Sequence, residues 1–437
     1  MWQADTFNPT LIDKEFGFAE DLGMYSMRIF LHDLAYSQDP TGFKSRLNTV
    51  LGLAAKHGLR PMITFFDSCW NPYPVSGKQP QPTKGTMLSA WSQSPGAKSL
   101  LNSTDWARLK TYVTDVIGTF ANDNRVLIWD LWNEPENTNG GSYNHVEPPN
   151  KVQLVDQLLP QVFDWARSVN PIQPLTSAPF GSDYLKGQWT PTEQIQVNNS
   201  DVITFHNYAP PSDYENHIVA LQKLGRPVIC SEYMARPTGS TFVTHLPIGK
   251  KYNVGMYNWA FVNGKTECNL PWDSWQNPYV QFQPQEWFHE VFRKDGTPYL
   301  VEETNLIKRY NGCPKGYQSS VDNWTCYYGS SSPLSWADAE VTCRAQGAYL
   351  ATVNSVFENA DIASYLSKNY SSCNSFSIGL YSHYGDWIWS NYATSTFRFW
   401  KSGYPTNDTN ALCVVLNQDG SWSNQPCTNT QCYVCSF

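Results

Sequence analysis

The sequence predicts an α/β chain, with repeated parallel strand–helix units followed by a small disulfide-rich α+β segment. Three observations carry this. Short apolar, β-prone runs alternate with stretches of helical period across the first 310 residues. Of the 11 cysteines, Cys69, Cys230 and Cys268 are scattered, while the other eight crowd the stretch from Cys313 to Cys435. At 437 residues the chain exceeds one ordinary core, so two domains are expected, residues 1–310 and 311–437.

Taken in order, residues 13–22 carry Phe16, Phe18, Ala19 and Leu22 at helical spacing and stop at Gly23. Residues 24–31 read as a strand, residues 41–57 as a helix with Gly58 as its stop, and residues 59–66 as the next strand. A long Pro/Gly/Ser-rich loop, 71–96, carries Trp91, and loops of that length in a compact domain are usually functional. A helix over 104–120 leads to the apolar strand 125–129, which runs into Trp129-Asp130-Leu131-Trp132-Asn133-Glu134-Pro135. Proline cannot donate to a sheet ladder, so the strand ends there. A helix over 151–169, a weak strand at 174–178, a strand at 201–208 and a helix at 214–224 follow. Then come the strand ending in Ser231-Glu232-Tyr233, a helical turn at 241–249, the strand 254–261 and a helix at 301–310. Seven strands alternate with helices, and the chemically interesting residues fall at their C-terminal ends. Active sites of (β/α)8 barrels lie there, so a TIM barrel is the predicted architecture.

Composition narrows the function. A net charge of −8 without a basic run argues against nucleic acid. Aromatics at 15%, with 18 Trp, exceed what a core usually uses and suit stacking on sugar rings. No stretch approaches the roughly 18 apolar residues needed to span a membrane. Dense cysteines point to an oxidising compartment, hence secretion, yet Met1-Trp2-Gln3-Ala4-Asp5 lacks the basic start and apolar core of a signal peptide. Glu134 and Glu232 each sit at the mouth of an apolar strand. Desolvation there is expected to raise the pKa of Glu134 and suit it to general-acid work. Two such carboxylates about 5–5.5 Å apart are what a retaining glycosidase needs.

These residues resemble those of clan A retaining glycoside hydrolases, the family-5-like cellulase and mannanase branch, over residues 1–310. The match rests on Asn133-Glu134 at the fourth strand, Glu232 at the seventh, His206-x-Tyr208 at the sixth, Arg28 at the second and Trp259 at the eighth. The resemblance implies that Glu134 is the acid/base and Glu232 the nucleophile. It further implies that Asn133 binds the sugar 2-hydroxyl, that Arg28 and Tyr208 keep Glu232 ionised, that His206 lies in the site, and that Trp259 floors subsite −1. No cofactor or metal is expected. Trp70, Trp91, Trp132, Trp272 and Trp275 are candidates for the cleft wall or for core packing. Asp67 departs from the clan, which commonly carries histidine there, and His32 is the candidate stand-in. Strand alternation puts Cys230 on the Glu232 face as a buried free thiol. By strand count the resemblance leaves no first strand ahead of residue 13. The sequence is therefore expected to be truncated, with a signal peptide and first strand lost and unpaired edges that favour aggregation.

From residue 311 the composition changes. Helices are expected from Ser335 to Gln346 and over 356–368, then short strands around Ile378, Trp387-Ile388-Trp389-Ser390, Cys413-Val414-Val415-Leu416 and Cys432-Tyr433-Val434-Cys435. This segment resembles a C-type-lectin-like domain. That likeness implies the pairs Cys343–Cys435, Cys413–Cys427 and Cys313–Cys326, with Cys373–Cys432 as a fourth. Calcium-dependent sugar binding is not expected. Where such lectins carry Glu-Pro-Asn and Trp-Asn-Asp, this chain has Tyr404-Pro405-Thr406 and Trp422-Ser423-Asn424, without the carboxylates a calcium cage needs. Two functions follow. One is a secreted retaining hydrolase of a cellulose-, mannan- or xylan-like polysaccharide or oligosaccharide, with the lectin-like segment docking on a glycan or protein. The other is a catalytically inactive carbohydrate- or protein-binding protein that uses the same cleft and lectin-like face.

Overall fold

A computed structural model describes residues 1–437 except 182–184, 186, 188, 314, 315, 321–324 and 437. The chain separates into two compact units, one of Met1–Glu20 with Met24–Leu300 and one of Asp21–Gly23 with Val301–Phe437.

In the first unit the helices are α1 Pro9–Asp21, α2 Asp33–Gln38, α3 Pro40–Lys56, α4 Ala97–Leu101, α5 Trp106–Phe120, α6 Lys151–Arg167, α7 Pro191–Asn199, α8 Pro211–Gln222 and α9 Phe242–Tyr252. Its strands are β1 Arg28–Phe30, β2 Met62–Asp67, β3 Ile128–Asn133, β4 Leu175–Ala178, β5 Ile203–His206, β6 Val228–Tyr233 and β7 Gly255–Asn258. All are parallel, in two sheets of order β1-β2-β3-β4 and β5-β6-β7. No ladder joins β4 to β5 among the described residues. They adjoin through side chains, with Thr176 Oγ1 2.9 Å from Thr204 Oγ1 and 2.8 Å from the Val202 carbonyl. The expected single curved sheet is thus interrupted, and the ladders define parallel α/β sheets.

Local chemistry sets the boundaries. Helix α1 begins four residues before its apolar period because the Asn8 side chain accepts from the Leu11 amide and Pro9 fits a first helical turn. Helix α3 ends as expected at Gly58 (φ +72°), where Gly58 and Leu59 donate to Ala55 and Ala54. Helix α2 is absent from the sequence reading. The His32 ring accepts from the Leu34 amide and caps it. Strands β1 and β7 are shorter than the apolar runs that suggested them, since each is bonded to one neighbour only. Strands β2 and β3 are buried at every position, as parallel strands covered on both faces must be. Against them pack Phe43, Leu47 and Leu51 of α3, Tyr112 and Val116 of α5, and Leu158 and Phe163 of α6. Each such side chain contributes roughly 1.5–3 kcal/mol by leaving water.

The second unit holds α10 Val301–Asn311, α11 Trp336–Ala345 and α12 Val356–Asn369, with strands β8 Gln318–Ser319, β9 Cys326–Leu334, β10 Tyr349–Leu350, β11 Ser375–His383, β12 Asp386–Trp389, β13 Cys413–Asn417, β14 Trp422–Gln425 and β15 Gln431–Ser436. Ser335 and Ser355 start α11 and α12 by accepting from Asp338 and Glu358 amides. One sheet runs β14-β13-β11-β15-β9-β8, with β10 on β15 and β12 on β11. Four disulfides close it: Cys313–Cys326, Cys343–Cys435, Cys373–Cys432 and Cys413–Cys427. A core this small depends on them, and losing one typically costs about 2–5 kcal/mol.

Candidate active site

Strand ends converge on one cleft. Asp67 ends β2 level with Asn133 at the end of β3, and His206 ends β5 level with Glu232 on β6. Register breaks precede Asn133, His206 and Tyr233, so the pleat is interrupted just where functional side chains must be re-aimed. Trp70, Glu134, Met234 and Ala260, all just past strand ends, have φ of +69°, +46°, +77° and +60°. Left-handed conformations in residues with a Cβ store strain, and such strain concentrates at functional sites.

Arg28 is the electrostatic centre. Its guanidinium donates to Glu232 Oε1 at 2.7 Å, to Asp130 Oδ2 at 2.6 and 3.0 Å, and to Asn133 Oδ1 at 2.6 Å. Strict alternation would put Asp130 and Asn133 on opposite faces of β3, and the break between them brings both to one cation. Burial opposes the Arg28 charge, but Asp130 and Glu232 more than offset it and push its pKa up. Tyr208 donates to Glu232 Oε2 at 2.8 Å, and burial with the neighbouring carboxylate keeps its hydroxyl protonated.

Glu134 faces Glu232 across His206. The His206 Nδ1 lies 2.7 Å from Glu134 Oε1 and 3.5 Å from Glu232 Oε2, and one ligand atom of each of the three falls within 4.8 Å of the others. Asn137 Nδ2 and Cys69 Sγ donate to Glu134 Oε2 at 2.8 and 3.0 Å. Burial raises Glu134, but the His206 hydrogen bond and charge win and hold it below the ordinary carboxylate range. Glu232 is raised by burial and by Glu134, against the pull of His206, Arg28 and Tyr208. His206 is raised, because the two carboxylates outweigh its own desolvation. This corrects the expectation for Glu134: its carboxyl is held down rather than raised, and the proton it shares with His206 rests on the imidazole. Arg28 and His206 already supply the positive charge that a cation bridging the carboxylates would bring.

That proton makes a pH prediction. The site loses it as pH rises through the elevated His206 value, above the usual imidazole pKa of about 6.5. Because the folded pKa exceeds the unfolded one, the stability it confers is full below about pH 6.5 and lost above. Activity and melting temperature are both expected to decline over that alkaline range, which a series from pH 6 to 9 measures.

The cleft is a cavity of about 430 Å³ lined by Trp70, Trp91, Trp259, Trp272, Trp275 and the carboxylates. Trp70 stacks on Trp275 at 5.4 Å and 13°. Trp91 donates to Asp67 Oδ2 at 2.6 Å, and Asn133 Nδ2 to Asp67 Oδ1 at 2.9 Å, so Asp67 is a brace for both. Trp132, open between cleft and core in the sequence, is core, 1% exposed and bonded to Ser68 Oγ. His32 makes no hydrogen bond to Glu134 or Glu232 among the described residues; it caps α2 and contacts Ser92 at 3.4 Å. Cys230 is fully buried and unpaired. Sequence reasoning missed Asp130, Asn137 and Cys69. Only Asp130 had a signal, being an acid inside an apolar strand.

Residues 16–278 match the family model of Cellulase (glycosyl hydrolase family 5). The chain belongs to this cellulase family. Residues 332–437 match the Lectin C-type domain. Similar proteins include Lectin BRA-3 of Megabalanus rosa, 34% identical over 130 residues, covering 29% of this chain and 78% of that protein. C-type lectin domain family 17, member A, of Homo sapiens is 30% identical over 146 residues, covering 33% of this chain and 37% of that protein. Among solved structures, human lithostathine is 26% identical, covering 29% of this chain and 98% of its own, with a TM-score of 0.27. A cellulase-family module and a lectin module in one chain make carbohydrate the common ligand class, and no described helix is long and apolar enough to cross a membrane.

Proposed function

We propose that this is a secreted retaining hydrolase of a β-linked polysaccharide or oligosaccharide, cellulose-, mannan- or xylan-like. Its β1 to β7 take the second to eighth places of a (β/α)8-type arrangement. The observation that carries the reading is the spacing of Glu134 and Glu232, with an oxygen of each within 4.8 Å. Retaining enzymes hold their carboxyls about 5–5.5 Å apart, whereas inverting ones leave about 6.5–9.5 Å for a water.

Glu232, aimed by Arg28 and Tyr208, attacks the anomeric carbon. The leaving oxygen takes a proton from Glu134, which draws it along the 2.7 Å hydrogen bond from His206 Nδ1. Glu134 then removes a proton from water as that water displaces Glu232. One Asn133 amide hydrogen is held by Asp67, and among the described residues the other faces only the Cys69 sulfur at 3.5 Å. That second hydrogen is the one available to the sugar 2-hydroxyl. Trp259 offers a ring face for the sugar in subsite −1. The experiment is hydrolysis of cellulose, mannan and xylan, with the anomer of the first product read by NMR. A first-formed β-anomer supports the reading, an α-anomer overturns retention, and no turnover on any glycan supports a binding protein.

The lectin module docks the enzyme on a glycan or protein without calcium. The Asn424 amide accepts from Thr406 N at 2.8 Å and donates to the Thr406 and Ala411 carbonyls at 3.2 and 2.8 Å, tying the loop that a calcium cage would otherwise organise. Adding calcium or EDTA is expected to leave its melting temperature and glycan binding unchanged, measured by calorimetry and pull-down. A calcium-dependent rise in either overturns this.

A further inference from the structure

Behind the cleft lies a charged pair that the chemistry above does not use. Lys151, the first residue of α6, and Glu147 have side chains only 1% and 3% exposed and meet at 2.8 Å. The Lys151 ammonium has three hydrogens. It donates to the Asn137 carbonyl at 2.6 Å and the Ser68 carbonyl at 3.0 Å as well as to Glu147, with Gln93 Oε1 at 3.3 Å. Glu147 Oε1 in turn accepts from Asn139 at 2.5 Å and Gln93 at 2.6 Å. One buried ion pair therefore ties the long loop between β2 and α4, at Ser68 and Gln93, to the segment after β3.

We propose that the Lys151–Glu147 pair is a positioning element for catalysis, aiming the Glu134 carboxylate through Asn137. The inference rests on the reading of Glu134 as acid/base. The Asn137 carbonyl is held by Lys151 while its side chain donates to Glu134 Oε2 at 2.8 Å, so moving one moves the other. The same knot grips Trp70. Its amide donates to Asn139 Oδ1 at 2.6 Å and its carbonyl accepts from Gln93 Nε2 at 2.9 Å, holding a residue with φ of +69° against the cleft. Without the ammonium, the Asn137 carbonyl loses its donor and Glu147, left with two neutral amide donors, becomes a buried charge without a counter-charge, so the loops would separate. A displacement of about 1 Å at an acid is enough to cost up to 10²-fold in rate.

The test uses leaving groups. Built on the disaccharide of whichever glycan the enzyme hydrolyses, a phenyl β-glycoside needs a proton on its departing oxygen, and a 2,4-dinitrophenyl β-glycoside does not. In Lys151→Met, kcat/KM is expected to fall at least about tenfold further on the phenyl probe than on the dinitrophenyl probe, because general-acid help is worth about 10²–10⁴-fold. A merely structural defect lowers both alike, and equal losses in a cooperatively melting variant overturn the inference. Should Lys151→Met fail to fold, Glu147→Gln and the double variant Lys151→Met/Glu147→Met, which leaves no charge unpaired, give the same ratio. Glu134→Gln is the reference. If it shows no leaving-group dependence, the assignment of Glu134 fails; if it does and the Lys151 and Glu147 variants do not, the positioning role alone fails.

Discussion

Glu232→Gln is expected to lower turnover by about 10⁴-fold or more while the glycan that the protein hydrolyses still binds in the cleft. The amide keeps the shape of the carboxylate but cannot attack the anomeric carbon. It also cannot satisfy both of its donors, since Arg28 Nη1 faces Oε1 at 2.7 Å and the Tyr208 hydroxyl faces Oε2 at 2.8 Å. An amide offers one oxygen. Arg28 will take it, and the Tyr208 hydroxyl, free to rotate, will accept from the amide nitrogen. Folding is expected to change little, because the neutral group loses the desolvation penalty that raises Glu232. Initial rates, calorimetric titration with an oligosaccharide of the hydrolysed glycan and thermal melts measure the three effects. Undiminished turnover would remove Glu232 from the nucleophile role.

Much of this site was legible because its strands are short, apolar and bounded by polar residues. Ile128–Asn133 and Val228–Tyr233 each place a carboxylate at the mouth of a strand, and a one-dimensional pattern can show that. The pattern cannot show what loops bring in. Asn137 and Cys69 reach Glu134 from two different connections, and no spacing rule relates them. Strict alternation even misleads at β3, where the register break carries Asp130 and Asn133 to the same guanidinium. Trp132 stayed open between cleft and core because periodicity does not say which neighbour buries a tryptophan, and the structure places it in the core. Lys151 read as an ordinary helix start, since nothing in sequence marks a lysine that will be buried under three acceptors. The direction of the Glu134 pKa was missed for a related reason. Burial was visible in the apolar strand, but the imidazole 2.7 Å away belongs to a strand seventy residues later.

Arg28→Leu is expected to be the most damaging single change, costing roughly 3–5 kcal/mol of stability as well as activity. The guanidinium is the shared counter-charge of Asp130 and Glu232, whose side chains are 0% and 7% exposed. Without it Asp130 keeps, among the described residues, only the Thr64 hydroxyl at 3.0 Å, and there its Oδ1 has no hydrogen-bond partner even in the intact protein. Glu232, already raised by burial, then holds a proton at higher pH and cannot serve in the proposed role of nucleophile. A carboxyl whose folded pKa lies above its unfolded one binds more protons when folded. The variant should therefore be most stable in acid and lose stability as pH rises through the Glu232 value. Urea unfolding at pH 5 and pH 7.5 measures this slope. Arg28→Leu/Asp130→Asn separates the two contributions: neutralising Asp130 is expected to restore part of the stability and none of the turnover. A loss below about 1 kcal/mol in Arg28→Leu would show that water or a rearranged His206 replaces the guanidinium, and the electrostatic account of the site would fail.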